Sequence, residues 1–168
     1  MKARLMSSIP VALIATFETM ASAQQTVILV RHAEIQGSAM AEPKGLPLTE
    51  AGEARAKRLA ALLKDAGISA IYVTDFVRTR ETAAPLAREL NKDPVVLAKG
   101  DPQMLVEKLR TEHGGQTVLL VGHTDTLPGL AKALGHPAEI KIEPQDFGNL
   151  FVVTTRGGGS PVLLRLRY

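Results

Sequence analysis

The 168-residue chain has no cysteine and no tryptophan, and aromatic residues make up only 4% of it. Without cysteine there can be no disulfide, thiol nucleophile, lipid-modified cysteine or thiolate-bound zinc, so stability rests on packing alone. So few aromatics argue against a stacking platform for single-stranded nucleic acid. Nowhere are more than two Lys/Arg residues adjacent, and the net charge is +3 with an isoelectric point near 9.3. That is a mild bias toward anionic ligands rather than a nucleic-acid signature. Long hydrophobic runs are also missing. The mostly apolar stretch Leu5–Phe17 is too short to cross a bilayer and ends at Glu18.

What is present begins with a distinct N-terminus. A short basic segment, Met1-Lys2-Ala3-Arg4, precedes the apolar stretch, and Ala21-Ser22-Ala23 has the small-x-small form of a cleavage site. This is the layout of a secretory signal peptide over 1–23, with the mature chain starting near Gln24. It predicts a periplasmic or secreted protein with no stable membrane insertion after cleavage. The remainder, 24–168, has the length and composition of one domain, since the chain is 45% hydrophobic and 22% charged.

The continuous apolar run Val27-Ile28-Leu29-Val30 reads as a buried strand of a parallel sheet covered on both faces. The pattern predicts further strands at 68–74, 94–98, 117–121, 149–155 and 161–167. Thr49 is a fair N-cap for a helix whose Ala/Leu stripe over 51–66 is core and which Gly67 closes. Further helices are expected over 78–90, 102–113 and 126–134. Pro85 predicts a kink in the second of the four helices, or a helix proper that begins there. Alternating strands and helices followed by a hairpin give an α/β three-layer sandwich, with a mostly parallel central sheet and an antiparallel C-terminal hairpin at its edge.

Three strand ends deliver unusual polar groups: Arg31-His32, Thr74-Asp75-Phe76-Val77-Arg78 and Gly122-His123-Thr124-Asp125. In such sheets ligands bind beyond the carboxyl ends of the strands. Gly122 would let the backbone approach a ligand closely, and the helix starting near Thr126 would turn free N–H groups toward it. Two arginines and two histidines on one rim describe an oxyanion pocket, and phosphate best matches forked guanidinium donors.

These residues also resemble the histidine phosphatase superfamily, the branch with phosphoglycerate mutases and small phosphohistidine phosphatases. The Arg-His-(Gly/Ala) signature is matched by Arg31-His32-Ala33, and Pro-Leu-Thr-x-x-Gly by Pro47-Leu48-Thr49-Glu50-Ala51-Gly52. The Ser/Thr-x-x-x-Arg-x-x-x-Thr-Ala segment is matched by Thr74, Arg78, Thr82 and Ala83, and Val-Gly-His by Val121-Gly122-His123. The resemblance implies a metal-independent phosphomonoester hydrolase without a cofactor. His32 would attack phosphorus to give a phosphohistidine, which water then releases. Arg31, Arg78 and His123 would bind the phosphoryl oxygens. A neutral His32 beside a charged His123 predicts a bell-shaped pH profile. Asp101 and Asp125 are equal candidates for the general acid, and a substrate with a good leaving group could dispense with one.

Taken one at a time, these residues have blander readings. A strand-end arginine commonly pairs on the surface, here with Glu34 or Asp75, and a lone histidine is commonly half-buried and hydrogen-bonded. Glu34 reads as a structural partner for an arginine and Arg80 as a helix-surface charge. His113 and His136 fall in loops, where solvation is expected, and neither has partners at zinc spacing. Only 38 residues, Thr79 to Gln116, separate Arg78 from Thr117, so the loop over 35–48 is the one segment long enough for a lid. An open pocket suits a phosphorylated small molecule, glycan or protein. The alternatives are a non-catalytic phospholigand-binding protein of the same fold and a protein phosphohistidine phosphatase.

Overall fold

The protein is described here by a computed structural model, which covers residues 24–37, 45–97, 101–155 and 159–168. The segment assigned to a signal peptide and the tip of the 35–48 loop therefore lie outside the described residues. Among the described residues ten elements follow in order: β1 (Gln25–Arg31), α1 (Glu50–Leu63), β2 (Ile68–Thr74), α2 (Val77–Glu89), β3 (Val95–Leu97), α3 (Pro102–His113), β4 (Thr117–Gly122), α4 (Leu127–Ala133), β5 (Asn149–Thr155) and β6 (Val162–Arg167). They build a six-stranded sheet of order β3-β2-β4-β1-β5-β6. Strands β1 to β4 pair in parallel, while β5 is antiparallel to β1 and β6 to β5. The expected sandwich with a C-terminal hairpin at its edge is what forms.

The apolar run of β1 is continuous because both faces of the sheet are covered. Val27 and Leu29 join the core under α3 and α4, with Val118 and Leu120 of β4 and Tyr72 of β2. Ile28 and Val30 point the other way, into the core under α1 and α2 with Leu119, Val121, Ile71 and Val73. Successive strand side chains face opposite sides, so a strand buried on both must be apolar at every position. Each such fully buried side chain stabilises the fold by about 1.5–3 kcal/mol. Among the described residues, no helix is long and apolar enough to cross a membrane.

Two expectations need correction. α2 starts at Val77, well before Pro85, and runs through it to Glu89, so the helix does not begin at the proline. His113 is the last residue of α3 rather than a solvated loop residue: its ring lies 2.8 Å from the Tyr72 hydroxyl and 3.0 Å from Gln116. By contrast, Thr49 caps α1 as read, its hydroxyl accepting from Gly52 N–H at 3.1 Å.

Candidate active site

Parallel strands β1, β2 and β4 end side by side, with Arg31 opposite Gly122 in the register. This places Arg31, His32 and His123 on one rim of the sheet, with the start of α2 beside them. The rings of His32 and His123 are 5.3 Å apart, edge to face. His32 is buried, with 6% exposure, and its Nδ1 lies 2.8 Å from the carbonyl oxygen of Ala33. A carbonyl only accepts, so Nδ1 carries the proton and Nε2 keeps its lone pair. The position of His32 is fixed further by its own N–H, which donates to Gly122 O at 3.0 Å. The following residue is tied as well. Ala33 N–H donates to the Thr82 hydroxyl at 2.9 Å, and that hydroxyl donates to Arg78 O at 2.7 Å. Thr82 thus joins the end of β1 to the helix that carries Arg78.

The Pro-Leu-Thr-x-x-Gly segment supports the same corner. Thr49 N–H donates to Glu34 O at 2.9 Å. A Cβ at Gly52 would sit 2.3 Å from that same carbonyl oxygen, so only glycine fits here. Glu34 is the expected partner of an arginine, but the arginine is Arg55, which grips both its oxygens at 2.7–3.0 Å. Arg31 is therefore not a surface partner of Glu34. Asp75 pairs instead with Arg80, at 2.6 Å.

Arg31 extends from β1 under the irregular segment before β5. One of its terminal nitrogens donates to Pro144 O at 2.8 Å and Glu143 O at 3.3 Å, and its guanidinium carbon lies 4.0 Å from the centre of the Phe147 ring. Its Nε is buried without an acceptor among the described residues. Arg78 is buried to 7% exposure and lies over the Phe76 ring at 4.2 Å. Burial lowers the pKa of both guanidinium groups. Nearby Asp146 and Glu34 oppose this at Arg31, as Asp125 does at Arg78.

His123 Nε2 lies 2.8 Å from the Thr74 hydroxyl, which is 3.1 Å from that of Thr79. Burial is the main reason its pKa falls to about 4, with Arg78 adding to the shift and Asp125 opposing it. His32 falls to about 3, again chiefly by burial, with His123 and both arginines contributing. Both rings are thus neutral near pH 7, and the charged His123 expected from sequence is not its resting form. Bringing a phosphate dianion among these groups favours their protonated forms and raises both values.

Two sequence readings of this rim change. The first N–H groups at α4 are not directed at a ligand: those of Thr126 and Leu127 donate to His123 O at 3.2 and 3.1 Å, and residue 128 is a proline. Gly122 is required by packing, since a Cβ there would meet the Thr126 hydroxyl at 2.9 Å. Of the two acid candidates, Asp101 is the N-cap of α3 and accepts from Gln103 N–H at 2.8 Å. Asp125 is exposed and close enough for its charge to act on both Arg78 and His123. Among the described residues, no three metal-ligating side chains converge.

Phe76, Phe147 and the hydroxyl contact of Thr74 carried no role in the sequence reading. Phe147 lies in an irregular stretch with no periodic pattern. The one available signal was scarcity, since two of only four phenylalanines lie beside the site.

Known proteins resemble this chain in sequence profile and in fold. The profile of the histidine phosphatase superfamily (branch 1) matches residues 27–100, the stretch holding Arg31, His32 and Arg78. No curated protein sequence matches the chain. A phosphohistidine phosphatase SixA structure from Agrobacterium tumefaciens superposes with a TM-score of 0.65 at 23% identity, covering 85% of this chain and 98% of that one. SixA complexed with tungstate gives 0.64 at 19% identity, with 84% and 96% covered. Phosphoserine phosphatase of Entamoeba histolytica with 3-phosphoglyceric acid gives 0.66 at 16%, with 86% and 97% covered. At these identities the likeness shows the fold. The family profile adds a resemblance to the histidine phosphatase superfamily over 27–100, less than half of the chain.

Proposed function

We propose that the protein is a phosphomonoester hydrolase in which His32 Nε2 is the nucleophile. The observation that carries this reading is the fixed tautomer of His32. Its Nδ1–H is committed to Ala33 O, and burial pushes its pKa down to about 3 before an anion enters, so Nε2 presents its lone pair to the incoming phosphorus. In-line attack forms the N–P bond as the P–O bond breaks, and the electron pair departs on the leaving oxygen. Water then attacks phosphorus, the N–P bond breaks, and phosphate leaves. Arg31 and Arg78 hold the phosphoryl oxygens and stabilise the charge they gain in the transition state. His123 joins them as a donor once the dianion has raised its pKa. The arginines supply the positive charge, so no metal enters this scheme.

Asp125 is the better placed proton donor for the leaving oxygen, because Asp101 is committed to capping α3. Phosphohistidine, phosphoserine and phosphoglycerate appear among the structural neighbours, which favours a phosphorylated protein or small molecule as substrate. The basic, apolar and small-x-small layout of 1–23 supports action outside the cytoplasm.

The test is hydrolysis of p-nitrophenyl phosphate by the full chain with EDTA present, compared with His32→Ala. Turnover should survive chelation and fall by about 10⁴ or more in the variant. Trapping at acid pH should yield a phosphoenzyme from the wild type alone. Full activity in His32→Ala, or its loss on chelation, would overturn the reading. Phosphate binding with no turnover of any activated ester would favour the non-catalytic binding protein.

A further inference from the structure

The site contains two half-buried phenylalanines arranged alike. Phe147 has Arg31 over its ring at 4.0 Å and His32 at 6.0 Å, tilted by 57°. Phe76 has Arg78 over its ring at 4.2 Å and His123 at 4.8 Å, nearly perpendicular. Each phosphate-binding arginine thus stacks on one ring, and each histidine ring lies beside one, tilted at Phe147 and edge-on at Phe76. Neither phenylalanine belongs to the two hydrophobic clusters that fill the sheet faces. Apolar rings left partly open beside paired cations need a different account from core packing.

We infer that Phe76 and Phe147 form an apolar subsite for a planar aromatic leaving group, so that the preferred substrates are phosphoryl groups carried on an aromatic ring. This rests on the phosphoryl-site reading above and adds the chemical class of the substrate. In-line attack by His32 Nε2 puts the leaving oxygen on the far side of phosphorus from the ring of His32. Phe147 and Phe76 lie 6.0 and 4.8 Å from the rings of His32 and His123, within reach of the group that this oxygen carries. Aromatic rings there gain from offset or edge-to-face contact as well as from desolvation.

The acid chemistry agrees. Asp101 is engaged as a helix cap, and Asp125 sits exposed beside Arg78 and His123. A site whose candidate acid, Asp125, is open to solvent suits a leaving group that departs readily. A phenol, with a pKa of about 10, leaves as a far weaker base than an alkyl alcohol. As the N–P bond forms and the P–O bond breaks, the electron pair goes to the aryl oxygen, which takes its proton from Asp125 or water.

The subsite is tested without turnover by titrating the full chain with phenylphosphonate, methylphosphonate and inorganic phosphate. Phenylphosphonate should bind about 3–10-fold more tightly than methylphosphonate, the gain of one aromatic contact. Phe76→Leu and Phe147→Leu keep apolar bulk and should remove most of that preference, weakening phenylphosphonate more than methylphosphonate. Equal affinity for the two phosphonates in the wild type, with inorganic phosphate still bound, would overturn this inference alone. Equal losses for both phosphonates in the variants would mean that the rings only support the arginines, which also overturns it. If none of the three anions binds, the phosphoryl-site reading fails, and the subsite with it.

Discussion

The two halves of the site hold the same three residue types, arginine, histidine and phenylalanine, but fix their histidines by different means. Arg31 and His32 are set largely by backbone. The ring of His32 is held by the carbonyl of its own neighbour, and Arg31 by two carbonyls of the 143–144 segment. His123 depends on side chains. The His123 ring is held by Thr74, whose hydroxyl meets that of Thr79, and its backbone N–H by Thr126. A carbonyl can only accept, so His32 has one tautomer, as a nucleophile requires. A hydroxyl both donates and accepts, so His123 can be neutral at rest and still act as a donor when an anion arrives.

Deleting either arginine tests whether the halves contribute equally. Arg31→Ala and Arg78→Ala should each lower kcat for p-nitrophenyl phosphate by about 10²–10³. Loss in one variant alone would show that only that half binds the phosphoryl group. Gly52→Ala attacks the backbone-set half specifically. With its Cβ 2.3 Å from Glu34 O, it should destabilise the protein by about 1–3 kcal/mol, measured by urea unfolding, and displace the corner carrying His32. Stability unchanged by this substitution would mean that the corner is not tightly packed.

Acid should act on both halves in the same direction. The folded pKa values of His32 and His123, about 3 and about 4, lie below the unfolded value of about 6.5, so the unfolded chain binds more protons. Their contribution is fully present above pH 6.5 and is lost as pH falls toward those values. For the buried His32 the slope is about 1.4 kcal/mol per pH unit. Urea midpoints between pH 7 and pH 4 should therefore flatten in His32→Ala, and an unchanged slope would refute the burial argument. The smallest effect should come from the hydroxyl-set half. Thr74→Val should cost about five- to tenfold in kcat/KM, by loss of one hydrogen bond, and alter the pH profile assigned to His123. Thr74→Ser should restore both. A profile identical in all three proteins would remove Thr74 from the site.

Much of the fold is legible in the sequence because its strongest signals are local. The run Val27–Val30 announces a strand buried on two sides, and Thr49 followed by Glu50 and Glu53 announces a capped helix. Arg31, His32 and His123 are legible too, because they end two such runs, and the backbone then brings those strand ends together. The helix around Pro85 forms as read but does not begin there, because proline preference is a local cost, which the packed α2 face, with Ala83, Leu86 and Ala87 buried, outweighs.

By itself the sequence determined the layered α/β sandwich and marked the polar residues that meet on its rim, since both follow from residue order along single elements. Tertiary structure alone decided the rest. It placed Phe147 against Arg31 and His32 from more than a hundred residues away, assigned Arg55 rather than Arg31 to Glu34, and gave Asp101 to a helix cap. It also lowered both histidines by burying them beside two arginines. These outcomes depend on distances between groups remote in the chain, which periodicity and spacing do not encode.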